Sequence, residues 1–151
     1  MTIYLIRHAH AGDRSEWQGD DRLRPLSAKG NRTARAIADT LGDRPVERVL
    51  SSPAVRCVET IEPLATRVGR PIETTEVLAE GGDPVEVIRL LRAHRDGDLA
   101  VCSHGDVIPE VIETLSRDGL DIRGTIGNRK GSFWALELNG VSSSARYHDR
   151  A

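Results

Sequence analysis

Alternating apolar runs and amphipathic stretches predict an α/β domain with three layers, a mostly parallel central sheet flanked by helices. Three observations carry that prediction. The chain starts with a short apolar run, Ile3 to Ile6, that stops at polar residues, as a strand buried on both faces would. Strand-like and helix-like segments then alternate as far as Leu115. The last twenty residues change to two strand-like runs, Ser132 to Leu138 and Ser143 to His148, around Asn139-Gly140, a hairpin signal that places an antiparallel edge on the sheet.

The elements follow in order. Residues 9–26 have no period and read as one long loop, a length that in a compact domain marks a functional segment. Ser27 offers an N-cap, and Ala34, Ile37, Ala38 and Leu41 fall on one helical face that Gly42 ends. Val46 to Leu50 is a second strand. Ser51-Ser52-Pro53 places an N-cap and an N1 proline before a helix whose apolar stripe runs from Ala54 through Cys57, Ile61 and Leu64 to Val68. Arg56 lies off that stripe in the first turn, where it can face a site at the strand end. Pro71 to Thr74 predicts a short third strand, residues 77–84 a loop and residues 85–94 a helix. Leu99 to Cys102 is a fourth strand ending in Ser103-His104-Gly105-Asp106, and Val107, Ile108, Val111, Ile112 and Leu115 line the next helix.

A length of 151 residues with no linker, repeat or low-complexity tract predicts one domain spanning 1–151. The formal charge of −2 excludes a general nucleic-acid or membrane binder held by bulk electrostatics. All but Lys29 and Lys130 of the 21 basic residues are Arg, and residues 1–56 carry a net +3 against −5 for residues 57–151. An anion site is therefore expected to draw on the first third of the chain, where guanidinium forks suit planar oxyanions. Cys57 and Cys102 have no metal-ligand or redox-motif spacing and read as buried small hydrophobes of a reduced compartment. With no apolar run near the roughly 18 residues of a membrane span, and with Arg7-His8 cutting short the N-terminal run, the expectation is a cytoplasmic protein without signal peptide or membrane partner.

Open α/β sheets bind ligands beyond the carboxyl ends of their strands. Three fragments fall there: Arg7-His8 after the first strand, Arg56 after the second and His104 after the fourth. Two guanidinium groups and two imidazoles in one crevice make a phosphate pocket, and an imidazole among them is a natural nucleophile. Attack by His8 on phosphorus splits hydrolysis into two displacements and needs no metal or other cofactor.

At these residues the chain resembles a known family. Leu5-Ile6-Arg7-His8-Ala9, Ser51-Ser52-Pro53-Ala54-Val55-Arg56-Cys57-Val58-Glu59-Thr60 and Val101-Cys102-Ser103-His104-Gly105 are similar, in order, to the three signatures of the histidine phosphatase superfamily, the phosphoglycerate mutase-like fold. The resemblance implies that His8 is the phosphorylated nucleophile and that Arg7, Arg56 and His104 bind the phosphoryl group. Arg-His-Ala stands where the family has Arg-His-Gly. Arg24-Pro25-Leu26-Ser27 followed by Gly30 resembles the short phosphohistidine phosphatases of the SixA type. The stretch from His8 through Trp17 to Leu26 is also similar to the phosphatase half of actinobacterial proteins whose other half is a Nudix domain, a half absent from these residues.

Only residues 57–103 separate Arg56 from His104, which leaves no room for the large cap of many relatives and implies an open site. That suits a phosphorylated protein surface or a long polyphosphate. Glu80 matches the family's acidic position and is the candidate general acid, with Asp106 in reserve. Arg14, in the loop past His8, is placed to bind a second anionic group of the substrate. Protein phosphohistidine is the preferred substrate, with nucleotides or other small phosphates as the alternative. Two rival readings are a metal hydrolase using His8-x-His10 and His104-x-Asp106, disfavoured because two adjacent Arg repel a divalent cation, and a phosphate-binding module without turnover. Trp17, Trp134 and Tyr147 are expected to pack rather than stack on ligand, and His10, His94 and His148 to lie at the surface or behind the site. The sequence leaves the oligomeric state open.

Overall fold

A computed structural model describes residues 1–138 and 142–151, so the Asn139-Gly140 turn lies outside the described residues. Seven strands form one sheet: β1 (Ile3–Arg7), β2 (Val46–Ser51), β3 (Ile72–Thr74), β4 (Asp98–Ser103), β5 (Asp121–Arg123), β6 (Phe133–Leu138) and β7 (Ser143–His148). Their order across the sheet is β3-β2-β4-β1-β6-β7-β5. The pairs β1–β4, β2–β4 and β2–β3 are parallel, while β6 runs antiparallel to both β1 and β7. The expected hairpin is present. Beyond it lies β5, which the sequence reading does not anticipate; three residues paired in parallel with β7 carry too short a pattern to reveal a strand.

Helices α1 (Ala28–Leu41) and α2 (Val55–Val68) pack on one face, α3 (Pro84–Ala93) and α4 (Val107–Arg117) on the other. The period-2 alternation of β1 distributes its side chains between the two layers. Ile3 and Leu5 join the cluster under α3 and α4, and Tyr4 and Ile6 join the cluster under α1 and α2. This is why the first strand carries no polar face.

Two local expectations are corrected. Residues 9–26 are not structureless: they hold two single-turn 3-10 helices, Arg14–Glu16 and Asp21–Leu23, with Asp13 and Asp20 accepting from the backbone N–H two residues on. Asx caps on isolated turns leave no hydrophobic period to read. Pro53 is not the N1 residue either. Helix α2 begins two residues later, its N-cap is Ala54 without a side-chain cap bond, and Ser52 turns its hydroxyl to His104.

Candidate active site

Strand pairing assembles the site. The carboxyl ends of β1 and β4 are in register, Arg7 opposite Ser103, and β2 follows on the other side with Ser51 opposite Cys102. The next residue of each chain segment continues the pairing: the His8 N–H donates to Ser103 O and the Ser52 N–H to Cys102 O. His8, Ser52 and His104 therefore emerge side by side where the parallel strands end. The His8 and His104 ring centroids lie 5.4 Å apart, edge to face.

The His8 ring is 7% exposed as a residue, and its Nδ1 sits 2.8 Å from its neighbour's carbonyl, Ala9 O. A carbonyl only accepts, so Nδ1 carries the proton and Nε2 keeps its lone pair. Burial, reinforced by the positive charge of His104, Arg56 and Arg7 and opposed by the Ala9 hydrogen bond, lowers the His8 pKa to about 3. The imidazole is consequently neutral at any physiological pH, the state a nucleophile requires. His104 Nε2 lies 2.8 Å from Ser52 Oγ and 3.5 Å from Cys57 Sγ, which fixes the second ring from behind.

Arg7 is held by a hydrogen bond to Asn128 O, and the Asn128 amide in turn donates to Gly105 O at 2.8 Å. Gly105 is where it is because of Arg7: a Cβ on Gly105 would lie 2.4 Å from the guanidinium carbon and 2.5 Å from Nε. Segment 128–132 is pinned to the same strand end, the Gly131 N–H reaching Arg7 O and His8 O and the Arg7 N–H donating to Ser132 O. Arg7, His8, His104, Glu80 and Arg14 all line one open hollow of about 780 Å³, together with Arg24 and Lys130.

Arg56 is not among the residues that line this hollow. It is 1% exposed and fastened to two acidic residues. One terminal nitrogen donates to Asp21 O at 2.8 Å, and the other lies 3.2 Å from both Asp21 Oδ2 and Glu80 Oε2. It lines an adjoining hollow of about 280 Å³ with Glu80 and His104. Glu80 thus stands between the two hollows, its other oxygen 2.8 Å from Arg14. The hydrogen bond from Arg14, with the charges of Arg14, His104 and Arg56, holds its carboxyl below the usual range despite partial burial. The reserve acid, Asp106, accepts from the Gly81 N–H at 2.8 Å and lines the main hollow.

Several contacts around the site escape the sequence reading. Asp21 touches Arg14, Arg24 and Arg56 at once. Arg24 is buried and donates to Ala11 O, closing the loop on itself. Glu59 and Thr60 of α2 accept from Leu26 N and Ala9 N, which clamps both ends of the loop to the helix that carries Arg56. Helical spacing offered a signal here, since Glu59 and Thr60 lie one turn from Arg56. Nothing local marks Asp21 or Lys130. His10 bonds Ser27 rather than joining His8, and among the described residues no group of three or more His, Cys, Asp or Glu could hold a metal ion. Nor, among them, is any helix long and apolar enough to cross a membrane.

Comparison with known proteins agrees with this architecture. The chain is 36% identical over 143 residues to an 8-oxo-(d)GTP phosphatase of Mycolicibacterium smegmatis, covering 91% of this chain and 44% of that protein. It thus spans less than half the length of the curated relatives it matches. Among solved structures, the protein histidine phosphatase SixA complexed with tungstate aligns with a TM-score of 0.80 at 22% identity, over 96% of this chain and 94% of that one. A mycobacterial glucosyl-3-phosphoglycerate phosphatase aligns with a TM-score of 0.73 at 16% identity, over 97% and 96% of the two chains. At such identities these two show the shared fold. Residues 3–83 match the model of the histidine phosphatase superfamily, branch 1, and it is to this superfamily that the chain belongs.

Proposed function

We propose that the protein is a metal-independent phosphohydrolase in which Nε2 of His8 accepts the phosphoryl group. The observation that carries this reading is the fixed tautomer: a buried, neutral imidazole with its lone pair turned away from Ala9 O, among two arginines and a second histidine. The P–N bond to His8 forms as the bond to the leaving group breaks. Water then cleaves the phosphohistidine, restoring His8 and releasing orthophosphate. Arg7 and His104 bind the phosphoryl oxygens from the main hollow, and Arg56 joins them by exchanging the Glu80 carboxylate for phosphate.

The state of Glu80 bears on the substrate. Held ionised by Arg14, it cannot protonate an alkoxide in the unbound protein, so the site favours leaving groups that depart without a strong acid. Protein phosphohistidine is one such substrate, supported by the open site and the absence of a cap between Arg56 and His104. The phosphoanhydride of a nucleotide is the other, supported by the 36% identical nucleotide phosphatase. Rapid quench should trap an acid-labile, alkali-stable phosphate on His8; turnover without it would overturn the mechanism. Comparing kcat/KM on a phosphohistidine protein, a nucleoside phosphate panel and sugar phosphates ranks the substrates, and a preference for simple esters with strong dependence on Glu80 would refute the leaving-group argument.

A further inference from the structure

The chain has only two lysines, and both lie in one groove. Lys29 and Thr33 stand one turn apart on α1, facing residues 129–131 and Arg150 across a space of about 410 Å³. This groove shares His10 and Lys130 with the hollow that contains His8, so the two adjoin at these residues. Its walls are firmly built. Gly131 is bonded to Arg7 O and His8 O, and a Cβ there would lie 2.4 Å from Thr33 Cγ2. Lys130 is thereby held next to the catalytic strand end. Burial and the neighbouring Arg7 and Arg24 pull its ammonium pKa down, a sign of positive charge crowded there.

The charges along the groove are poorly neutralised. Among the described residues Lys29, Lys130 and Arg150 form no ion pair within 4 Å; Asp13 is near enough to Lys130 to favour its charged form, Asp149 lies 3.7 Å from Arg129, and Ala151 also lines the groove. In the main hollow, Glu80 is engaged by Arg14, Asp106 by the Gly81 N–H and Asp13 by the Ser15 N–H and hydroxyl, and Glu16 lines it as well. The groove also contains none of the large hydrophobics exposed among the described residues, Met1, Trp17, Leu23, Val85 and Ile126. Protein-binding surfaces rely on such apolar and aromatic anchors. A narrow row of cations without them fits a linear anion instead.

We infer that the groove lined by Lys29, Lys130 and Arg150 is a subsite for a phosphoanhydride chain whose terminal phosphoryl group reaches His8. The inference rests on the assignment of His8 as phosphoryl acceptor. The chain's terminal P–O bond breaks as the P–N bond forms, the electron pair departs on the shortened chain, and water later frees orthophosphate from His8. The cations of the groove hold both the incoming chain and the shortened product. Free polyphosphate and nucleoside polyphosphates share this chemistry.

Calorimetric binding on a His8→Gln chain separates the subsite from turnover. The probes are orthophosphate, inorganic tripolyphosphate and GTP, with and without the additional changes Lys29→Ala and Arg150→Ala at two exposed positions. Tripolyphosphate should bind more tightly than orthophosphate and lose about tenfold in the substituted chain, while orthophosphate stays within about twofold. The loss should shrink as salt rises. A parallel loss for GTP extends the subsite to nucleotides, whereas a loss for tripolyphosphate alone assigns it to free polyphosphate. Equal affinity for orthophosphate and tripolyphosphate, or a substituted chain that weakens both alike or neither, overturns the inference. So does a loss confined to a phosphohistidine-bearing protein, which would make the groove a protein-docking face. Phosphate release by the His8→Gln chain would instead refute the acceptor assignment, independently of the binding result.

Discussion

The strand-end cluster and the loop in front of it are held by different forces. His8, His104, Arg7 and Ser52 are fixed by parallel-sheet register and short buried hydrogen bonds, with the strands beneath them almost completely buried. Between its two clamped ends the loop of residues 9–26 is tied to Glu80 and Glu76 by ion pairs, Arg14 with Glu80 and Asp21, Arg22 with Glu76, at groups that are about one-third to three-quarters exposed. Exposed pairs contribute little stability and yield to salt, whereas a buried network is costly to disturb. Under the proposed mechanism the difference is a division of labour: the cluster would do the chemistry in a preset geometry, and the loop and Glu80 would exchange partners when an anion arrives.

Perturbing each region tests that division, beginning with the largest effect. His8→Ala should abolish turnover, a loss of about 10³-fold or more in kcat, with the fold retained by circular dichroism. Gly105→Ala should come next, since its Cβ would lie 2.4 Å from the Arg7 guanidinium carbon and must displace the charge; kcat/KM falls about 10²-fold with a much smaller change in urea midpoint. A stability loss without an activity loss would show that Arg7 is structural.

The pH dependence separates the regions by the window in which each acts, not by sign. The folded His8 pKa of about 3 lies below its unfolded value near 6.5, so the unfolded chain binds the extra proton first. The neutral ring therefore costs no stability above that range, and stability falls progressively as pH drops from about 6.5 toward 3. Urea midpoints at pH 7 and pH 5 should differ less in His8→Gln than in the unsubstituted chain. Glu80 acts in the same sense as His8, but in a lower pH range. Its lowered pKa adds stability that is present above the ordinary carboxyl range and lost as acid protonates it, a small effect at so exposed a pair.

The smallest effects belong to the loop. Glu80→Gln should tighten inhibition by orthophosphate about threefold, because it removes the carboxylate that occupies Arg56 and Arg14, and leave turnover of a phosphohistidine protein within about threefold. A loss of orthophosphate affinity would refute the exchange. Arg14→Ala should raise KM about threefold at low salt and progressively less as ionic strength rises.

Legibility followed the same boundary. Strands β1, β2 and β4, all four helices and the placement of His8 and His104 were readable because buried strands and amphipathic helices leave long apolar patterns. The start of α2 was misread, since Ser51-Ser52-Pro53 has the composition of a cap, while Ser52 instead serves His104, a partner 52 positions away. Trp17 is 37% exposed, with its indole nitrogen donating to Asp20 O and its backbone N–H to Arg14 O. The short strand β5 and the two loop turns carried too few residues for any period to appear.

By itself the sequence determined the layered α/β fold, the superfamily and the residues gathered at the strand ends, because hydrophobic period and motif order are local properties. Tertiary structure alone decided what those residues touch. It set the tautomer of His8, the capture of Arg56 by Asp21 and Glu80, and the meeting of Lys29 with Lys130 across α1 and the segment before β6. The capture of Arg56 and the meeting of the two lysines depend on chain segments brought together by packing, and electrostatics acts through distance in space rather than separation along the chain.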